Sequence, residues 1–412
     1  MYSVSESHWE ELVFTNVNVV NTRSGEIQHN MTVVVIDGRI QAVAKIGLLG
    51  TRRDYHVVNA NGKYLIPGLW DMDVRAAEAQ ALGWEQKVFY PLFVVNGVTG
   101  VREMSADSLR QQEAKLDGMP LPRVMNAAEF VRVRTSELVG STASEKIAMA
   151  PSPKTQRSVE RLNVFFLACS SQEDRLRQAS CEAQARRDLA GHTLAASNEE
   201  STYDSAKALK FFVELANRGT WDVPELIWTQ AGNGSDVGVD PRFEYLPERV
   251  SGRDDTKSLD SNESLAPHAN SDSELAMMND MRRAGMQFLS GTSSPEAHIS
   301  PGFSLHKELE LLVKSGFTTL QALQAATLNP AIFMAKLDQF GVVEQGRLAD
   351  LVLLDENPLE DIRNTRKIAA VVMGGKYYSR DNLNQLLSEI TTLAKDTHQY
   401  RVSNSEGAQS LK

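Results

Sequence analysis

The first sixty residues alternate apolar and polar positions with the period of two that marks a half-buried β-strand. One such series is Val13, Thr15, Val17 and Val19. A second β-rich run at residues 32–36 leads through Asp37-Gly38 into a third run at residues 39–43. Because Asp-Gly favours a tight two-residue turn, we predict an antiparallel hairpin here.

The same β-rich pattern returns near the C-terminus. Apolar runs at residues 351–354 and 369–373 are each bounded by glycines, and the second continues through Gly374-Gly375 into residues 376–378. We therefore predict that the two ends of the chain build one small composite β-sandwich domain, residues 10–65 with 344–380.

Between these ends, short apolar runs alternate with amphipathic stretches, as in a βα-repeat barrel. Candidate strands lie at residues 97–101, 162–167 and 286–289. The pattern predicts an α/β barrel domain over residues 66–343.

Two helices are predicted late in this barrel. Leu305, Leu309, Leu312 and Val313 form one apolar face, and Gly316 ends that helix. A capping box formed by Thr318 and Gln321 opens a second helix, predicted from 320 to 328 and stopped by Asn329-Pro330.

Two polar segments are predicted to lie outside the packed core. Residues 251–273, rich in Ser, Asp, Asn and Glu, read as a long solvated loop, and residues 381–412 as a C-terminal helix with a tail disordered from 403.

Composition limits the classes of function. The chain has 412 residues, a formal net charge of −10 and a pI near 5.4, so we expect no nucleic-acid partner. Two cysteines, Cys169 and Cys181, exclude a disulfide framework and favour a reducing compartment. No apolar run approaches the roughly 18 residues that span a bilayer, and no secretory signal is evident, so we expect a cytoplasmic protein without a membrane partner.

Six segments resemble motifs of the amidohydrolase superfamily, especially its imidazolonepropionase-related and prolidase-like branches. They are PGLWDMDVR at 67–75, GVTGVREM at 97–104, GTWDVP at 219–224, PGFSLHKEL at 301–309, LQAATLNPA at 323–331 and GRLADLV at 346–352. The resemblance covers roughly residues 10 to 380. It implies a distorted (β/α)8 TIM barrel plus a small β-sandwich from both termini, and hydrolysis of cyclic amides or dipeptides.

The resemblance also implies a site for one or two divalent cations at the barrel mouth, and most of its ligand positions are changed here. Asp73 and Arg75 stand where the first strand of the family carries two histidines. Phe166 falls near the position of the bridging lysine, and Ser293 replaces the aspartate of the last strand. His192, in Ala-Gly-His, matches a retained ligand.

This set of side chains predicts that the usual metal site is absent. A structural or catalytic cation needs three or four protein donors, whereas Asp73 and His192 supply two. Arg75 adds a permanent positive charge, and at about 4 Å each unit of like charge costs on the order of 4 kcal/mol. We therefore expect no cofactor, with zinc or another divalent cation expected only if the chain is a hydrolase after all.

Several interpretations of these residues stay open. Asp73 and Arg75 fit a structural ion pair better than a catalytic pair, and His192 fits a packed barrel residue. The predicted pocket residues are Phe166, Ser293, Ser294 and His298. Glu296 and His298 follow the last strand and could overhang the barrel mouth, but an exposed loop position is the favoured interpretation for both. In addition, His306 is predicted to be structural and Cys169 to be a buried thiol.

Three functions follow as hypotheses. The first is a pseudoenzyme or ligand-binding protein that keeps the fold, binds a small molecule in the barrel mouth and forms a homo-oligomer. The second is a metal-free enzyme of the lyase, dehydratase or cyclase type, in which Asp73 or His192 acts as acid or base and Arg75 as electrophile. The third is an active hydrolase of carbon–nitrogen bonds.

Overall fold

The computed structural model describes residues 11–45, 47, 55–81, 86–104, 119–127, 131–132, 157–166, 168–175, 202–232, 272–296 and 299–409. The predicted loop at 251–273 lies outside these ranges except for its last two residues, which begin a helix. His192, His298 and Cys181 also lie outside them.

The strands, in chain order, are β1 Glu11–Val20, β2 Ile27–Ile36, β3 Arg39–Lys45, β4 His56–Asn59, β5 Tyr64–Pro67, β6 Leu69–Val74, β7 Val98–Glu103, β8 Arg123–Asn126, β9 Val131–Arg132, β10 Arg157–Glu160, β11 Thr220–Val223, β12 Gln287–Phe288, β13 Leu351–Leu354, β14 Ile368–Met373 and β15 Lys376–Ser379.

The helices, in chain order, are α1 Ala76–Ala81, α2 Gln86–Val95, α3 Ser205–Asn217, α4 Leu226–Gly232, α5 Asp272–Arg283, α6 Phe303–Lys314, α7 Thr319–Ala325, α8 Leu328–Phe333 and α9 Arg380–Gln409. Short 3-10 helices lie at Leu162–Phe165 and Ile362–Arg366.

Strands from both ends of the chain lie in one sheet, as predicted. Its order is β15-β14-β13-β5-β1-β2-β3, with β4 paired to β1. The N-terminal and C-terminal halves join where β5 pairs antiparallel with β13, for example at Ile66 and Val352. The division of the chain into domains with the stated boundaries stays a prediction.

The hairpin predicted at Asp37-Gly38 is confirmed. β2 and β3 pair antiparallel on either side of it. Both turn residues adopt positive φ angles, 49° at Asp37 and 71° at Gly38. A two-residue turn with both φ angles positive matches the right-handed twist of the flanking strands, which is why Asp-Gly forms it at low cost.

The middle of the chain is a mixed α/β structure built on parallel strands. β6, β7 and β8 form one sheet, and β9 to β12 form another. The segment after β12 runs along β6, because Met72 N donates to Ser290 O (2.9 Å) and Ser293 N donates to Asp73 O (3.0 Å). The carboxyl ends of β6 and β12 therefore lie side by side.

The strand predicted at residues 162–167 is wrong. β10 ends at Glu160, Arg161 has a φ of 72°, and a 3-10 helix follows. Phe166 is consequently part of the apolar core, with its ring 6.2 Å from that of Tyr203. A short apolar run fits a buried strand or a buried helical turn equally well, and the left-handed residue that ends the strand was not visible in the pattern.

The late helices agree with the prediction except at one boundary. The capping box of Thr318 and Gln321 is present and opens α7. The helix ends at Ala325, however, and a new helix begins at Leu328 and contains Pro330. Proline is tolerated there because the first turn of a helix has no intrahelical partner for its N–H groups.

The C-terminal helix α9 packs on the core through its first half, where Leu383, Leu386 and Ile390 are buried. Its backbone is helical to Gln409, and the expectation of a disordered tail from residue 403 stays a prediction. No helix in the described ranges is long and apolar enough to cross a membrane.

Candidate functional site

The candidate site lies where four parallel strands end. Arg75 follows β6, Arg161 follows β10, Glu225 comes two residues after β11, and Ser293 comes five residues after β12. Hydrogen bonds and ion pairs join all four positions into one cluster. Carboxyl ends of parallel strands are the usual place for binding sites in α/β folds, because the strand-ending residues converge there.

Three of these residues have strained backbones. The φ angles are 72° at Arg161, 50° at Glu225 and 60° at Ser293. A residue with a β-carbon in this conformation costs on the order of 1–3 kcal/mol and persists only where its surroundings fix it. Such strain concentrates at ligand sites, so its occurrence at three residues of one contact cluster makes this region the candidate site.

Two Arg–carboxylate pairs form the centre of the site. Arg75 Nε lies 3.3 Å from Asp73 Oδ1, and Arg161 Nε lies 3.3 Å from Glu225 Oε2. Both carboxylates are fully buried, whereas the two arginine side chains keep 15% and 16% of their surface exposed. The cations therefore cover the acids and face the solvent side of the site.

The carboxyl groups of Asp73 and Glu225 shift each other's pKa. Burial alone raises the pKa of Asp73, but the Arg75 guanidinium and the neighbouring Glu225 carboxyl group outweigh it and leave the pKa lowered. Burial and the Asp73 charge raise the pKa of Glu225 well above its usual range. These opposite shifts favour an uncharged Glu225 beside an ionised Asp73. The second oxygen of each group, Asp73 Oδ2 and Glu225 Oε1, has no hydrogen-bond partner among the described residues.

Arg161 is held in place by three further contacts. Its guanidinium carbon lies 4.2 Å from the centre of the Trp228 ring, a cation–π contact. Nη2 donates to Ser293 Oγ at 3.2 Å and lies 3.7 Å from Glu296 Oε1. A guanidinium fixed on one face and at two edges presents its remaining N–H groups in a defined direction.

Two acids form the rim. Glu296 has 36% of its side chain exposed and Glu78, 3.6 Å from Arg75 Nη1, has 51%. Burial raises the pKa of Glu296, while Arg161 and Arg75 oppose that shift. Ser294 lies beneath this rim, fully buried, and its Oγ has no hydrogen-bond partner in the described residues.

A third arginine, Arg102, is fully buried next to the site. Arg102 on β7 donates from Nε to Met72 O (2.6 Å), from Nη1 to Ser158 Oγ (2.8 Å) and from Nη2 to Glu160 Oε1 (3.0 Å). Its guanidinium also lies 5.3 Å from the Phe333 ring centre. This network links β7 to β10, so it sets the position from which Arg161 emerges.

The first-strand and last-strand motifs are joined by Asp71. Thr292 donates to it from its backbone N (3.1 Å) and its hydroxyl (2.6 Å), and Asp73 N donates as well (3.2 Å). Burial raises the pKa of Asp71 to about 7 despite these bonds. Asp71 thereby fixes the backbone that carries Asp73.

Another buried acid orients the helix after Glu225. Glu308 on α6 accepts hydrogen bonds from Leu226 N (3.1 Å) and Ile227 N (2.7 Å), the first residues of α4. Burial raises its pKa to about 8, and the two N–H donors limit that rise. Nearby Asp222 is fully buried, neither of its oxygens is hydrogen-bonded among the described residues, and burial raises its pKa well above the usual range.

The structure brings together four of the residues singled out from sequence. Asp73, Arg75, Ser293 and Ser294 lie in the cluster, and Asp73 with Arg75 forms the expected ion pair. Phe166, predicted to line the pocket, packs in the apolar core instead, because the strand that was to carry it ends six residues earlier. His192 and His298 lie outside the described residues.

Two side chains predicted to be structural are buried. The His306 ring contacts Thr365 Oγ1 (2.9 Å) and Asn96 O (3.0 Å). Cys169 is a buried free thiol, and burial raises its pKa. Neither contributes to the cluster.

Sequence reasoning missed Arg161, Glu225, Trp228 and the part played by Glu296. Glu225 follows the Gly-Thr-Trp-Asp-Val-Pro segment directly, and that position was a usable signal, since residues after parallel strands converge. Arg161 gave no such signal, because the strand before it was placed five residues too late.

The described residues of this cluster do not fit a divalent cation. Asp73 and Glu225 each face a guanidinium at 3.3 Å, so a cation bound to either carboxylate would lie close to a permanent positive charge. Within the described ranges, no group of three or more His, Cys, Asp or Glu side chains is arranged to hold a metal ion.

A separate cleft of about 390 Å³ lies away from the cluster. It is bounded by the end of α5, the start of β12 and helices α7 and α8, with Arg282, Phe317 and Asn329 among its lining residues. None of the cluster residues lines it.

Together, these features define a mixed α/β protein in which parallel strands carry a strained, charged cluster at their carboxyl ends. The sequence profile of the Amidohydrolase family matches residues 171–377, half of the chain. This protein belongs to that family. Ochratoxinase of Aspergillus niger is 32% identical over 112 residues, which are 26% of this chain and 22% of the relative, so the chain matches only about a fifth of that protein's length.

Solved structures show the same fold over nearly the whole chain. A Xaa-Pro dipeptidase superposes with a TM-score of 0.57 at 18% identity, covering 90% of this chain and all of the other. A putative prolidase from Bifidobacterium longum gives 0.55 at 19%, covering 92% and 99%. Ochratoxinase of A. niger gives 0.54 at 17%, covering 90% and 96%. At these identities the likeness establishes the fold alone.

Proposed function

We propose that this protein is a metal-independent member of the amidohydrolase family that binds a small molecule at the mouth of a distorted (β/α)8 barrel. One observation carries the proposal: Arg75 and Arg161 pair with buried acids at the strand ends where relatives of this fold are expected to hold cations. The strained backbones at Arg161, Glu225 and Ser293 favour a binding role over simple filling of a lost site.

A second candidate is a metal-free enzyme of the lyase, dehydratase or cyclase type. The Asp73–Glu225 pair favours it, because an ionised carboxylate beside a protonated one supplies a base and an acid in one place. Arg75 would stabilise developing negative charge. His192 stays assigned to this hypothesis as a further acid or base.

Hydrolysis of carbon–nitrogen bonds is the third candidate. Family membership and the likeness to ochratoxinase and prolidases support it. It needs cation ligands beyond the described cluster, with His192 the first to examine. Cytoplasmic residence and assembly into a homo-oligomer stay predictions from the sequence.

Metal content tests the proposal most directly. We expect the full chain, produced in medium supplemented with zinc and manganese, to contain no stoichiometric divalent ion by elemental mass spectrometry. One equivalent per chain would overturn metal independence and favour the hydrolase. The variant Asp73→His/Arg75→His/Ser293→Asp, which restores three ligand types of the family, is the matched comparison and should retain more metal.

A further inference from the structure

We propose that Arg75 and Arg161 together bind the carboxylate group of a small-molecule ligand, and that the Glu296 side chain occupies this position until the ligand displaces it. The inference rests on the proposed function, since it assigns the ligand class of the same site. The proposed ligand group is an anion, whereas the family's site is expected to hold a cation.

Both guanidinium groups have unused donors. An arginine carries five N–H groups. Among the described residues, Arg75 donates one hydrogen bond, to Asp73, and Arg161 donates two, to Glu225 and Ser293. Each side chain keeps about a sixth of its surface open to solvent, so the remaining donors are reachable from outside.

Glu296 occupies this place only loosely. Its carboxylate is 3.7 Å from Arg161 Nη2, which is too long for a hydrogen bond, and it accepts none from the described residues. Its backbone is tied in a bridge with Ile299, whose N donates to Glu296 O at 3.0 Å. A free carboxylate is not tethered in this way and can pair with guanidinium groups in the stronger bidentate geometry.

Charge balance favours an anionic ligand once Glu296 moves aside. Two guanidinium groups then face Asp73 and Glu225, and burial raises the pKa of Glu225 well above its usual range, which favours its uncharged form. Glu78 pairs with Arg75 at 3.6 Å and is half exposed, so water screens it. Both guanidinium groups keep their charge at any working pH, so an anion balances the charge at the mouth better than a cation does.

Two more groups suit such a ligand. Ser294 is fully buried below the rim and its hydroxyl has no partner in the described residues, so it can donate to a seated carboxylate. Trp228 stacks beneath Arg161 and fixes the direction of its donors. The same ring reports binding, since its fluorescence responds to the guanidinium that covers it.

The test uses acetate, succinate and benzoate as probes, with benzamide as the neutral counterpart of benzoate and inorganic phosphate as a different oxyanion. Binding to the full-length protein is followed by calorimetry and by tryptophan fluorescence. We expect at least one of the carboxylates to bind and benzamide not to bind. Stronger binding of phosphate than of every carboxylate would overturn the assignment to carboxylates.

The Glu296→Gln variant gives the decisive measurement, because the expected result is tighter carboxylate binding, which misfolding cannot produce. It should tighten carboxylate binding by roughly tenfold, equivalent to about 1.4 kcal/mol. Arg161→Gln should weaken it by a similar factor, and Trp228→Phe should remove the fluorescence change while calorimetry still detects binding. Glu214→Gln makes the same change in net charge at an exposed Glu–Arg pair on α3 and should have no effect.

The failures are distinguishable. A metal-free protein that binds no carboxylate, or whose affinity is unchanged by Glu296→Gln, overturns this inference and leaves metal independence standing. A protein that holds stoichiometric metal overturns the proposed function, and the Glu296→Gln result then still decides the role of the arginine pair.

Discussion

The Glu225 and Asp73 carboxyl groups are fully buried, and each is paired with an arginine at 3.3 Å, Glu225 with Arg161 and Asp73 with Arg75. Burial and the Asp73 charge raise the pKa of Glu225 well above its usual range, which favours its protonated form. This arrangement makes the centre of the site an acid–carboxylate pair.

The first prediction concerns the pH dependence of stability. Above about pH 4.5 the unfolded chain releases the Glu225 proton while the native state keeps it, so the free energy of unfolding falls as pH rises, by up to about 1.4 kcal/mol per unit. Glu225→Gln keeps a donor to Asp73 and removes this titration. Urea unfolding from about pH 5 to about pH 8 should show a shallower fall in the variant.

Glu214→Gln serves as the control, because its exposed carboxylate pairs only with Arg218 on the surface of α3 among the described residues. That variant should keep the slope of the unaltered protein. Equal slopes for Glu225→Gln and the unaltered protein would show that Glu225 is ionised in the native state.

The second prediction concerns Glu308, which binds two N–H groups at the start of α4. In Glu308→Gln only one oxygen remains to accept them, and a buried N–H without a partner costs about 1–3 kcal/mol. Hydrogen exchange at Leu226 and Ile227 should accelerate more than exchange in α6. Unchanged protection at both amides would contradict this role.

The third prediction concerns Arg102, whose guanidinium is fully buried against Glu160. Arg102→Met deprives a buried carboxylate of its cation and should lower the free energy of unfolding by about 3–5 kcal/mol. Arg102→Met/Glu160→Met should recover part of this loss, since neither position of this pair then carries a charge. Denaturant unfolding of the two variants measures the difference, and a double variant less stable than the single one would contradict the account.

The fourth prediction concerns Gly100. A β-carbon built on it lies 2.2 Å from the Trp70 ring, which is stacked on Phe340 with the ring centres 4.5 Å apart. Gly100→Ala should cost about 1–3 kcal/mol or more through overpacking. Trp70→Leu in the same chain should relieve part of that cost. If the changes in the free energy of unfolding of the two single variants simply add in the double variant, the two residues do not interact sterically.

The fifth prediction concerns Cys169. Because the thiol is buried and its pKa is raised, an aromatic disulfide reagent should not modify it in the native protein. A Cys181→Ser background leaves Cys169 as the only thiol in the chain. Reaction should begin only with unfolding, followed by absorbance across a urea series, and rapid stoichiometric labelling without denaturant would contradict the burial.

The sequence predicted local structure best where short-range chemistry decides it. Asp37-Gly38 specified its hairpin because few other residue pairs accept two positive φ angles in succession. Thr318 and Gln321 specified their capping box because each side chain satisfies the other's backbone N–H. The run at 162–167 was misjudged because apolar residues alone fit strand and helix alike.

The motifs of the first and last strands also marked half of the site in advance. They pointed to Asp73, Arg75, Ser293 and Ser294, which the structure brings together. Those residues lie in or beside segments that resemble family motifs, so comparison of the sequences alone finds them. Arg161 and Glu225 belong to other strand ends and reach the cluster only through the pairing of β10 with β11 and of β11 with β12.

The sequence by itself thus predicted the family, the sheet shared by both termini, and Asp73 and Arg75 as residues of the site. The tertiary structure decided what surrounds them: two guanidinium groups over two buried acids, Asp73 and Glu225. The physical reason is the distance along the chain between the residues that interact. Turns and caps depend on neighbours along the chain, whereas the protonation of Glu225 depends on Asp73, which lies far from it in sequence and is desolvated with it only after folding.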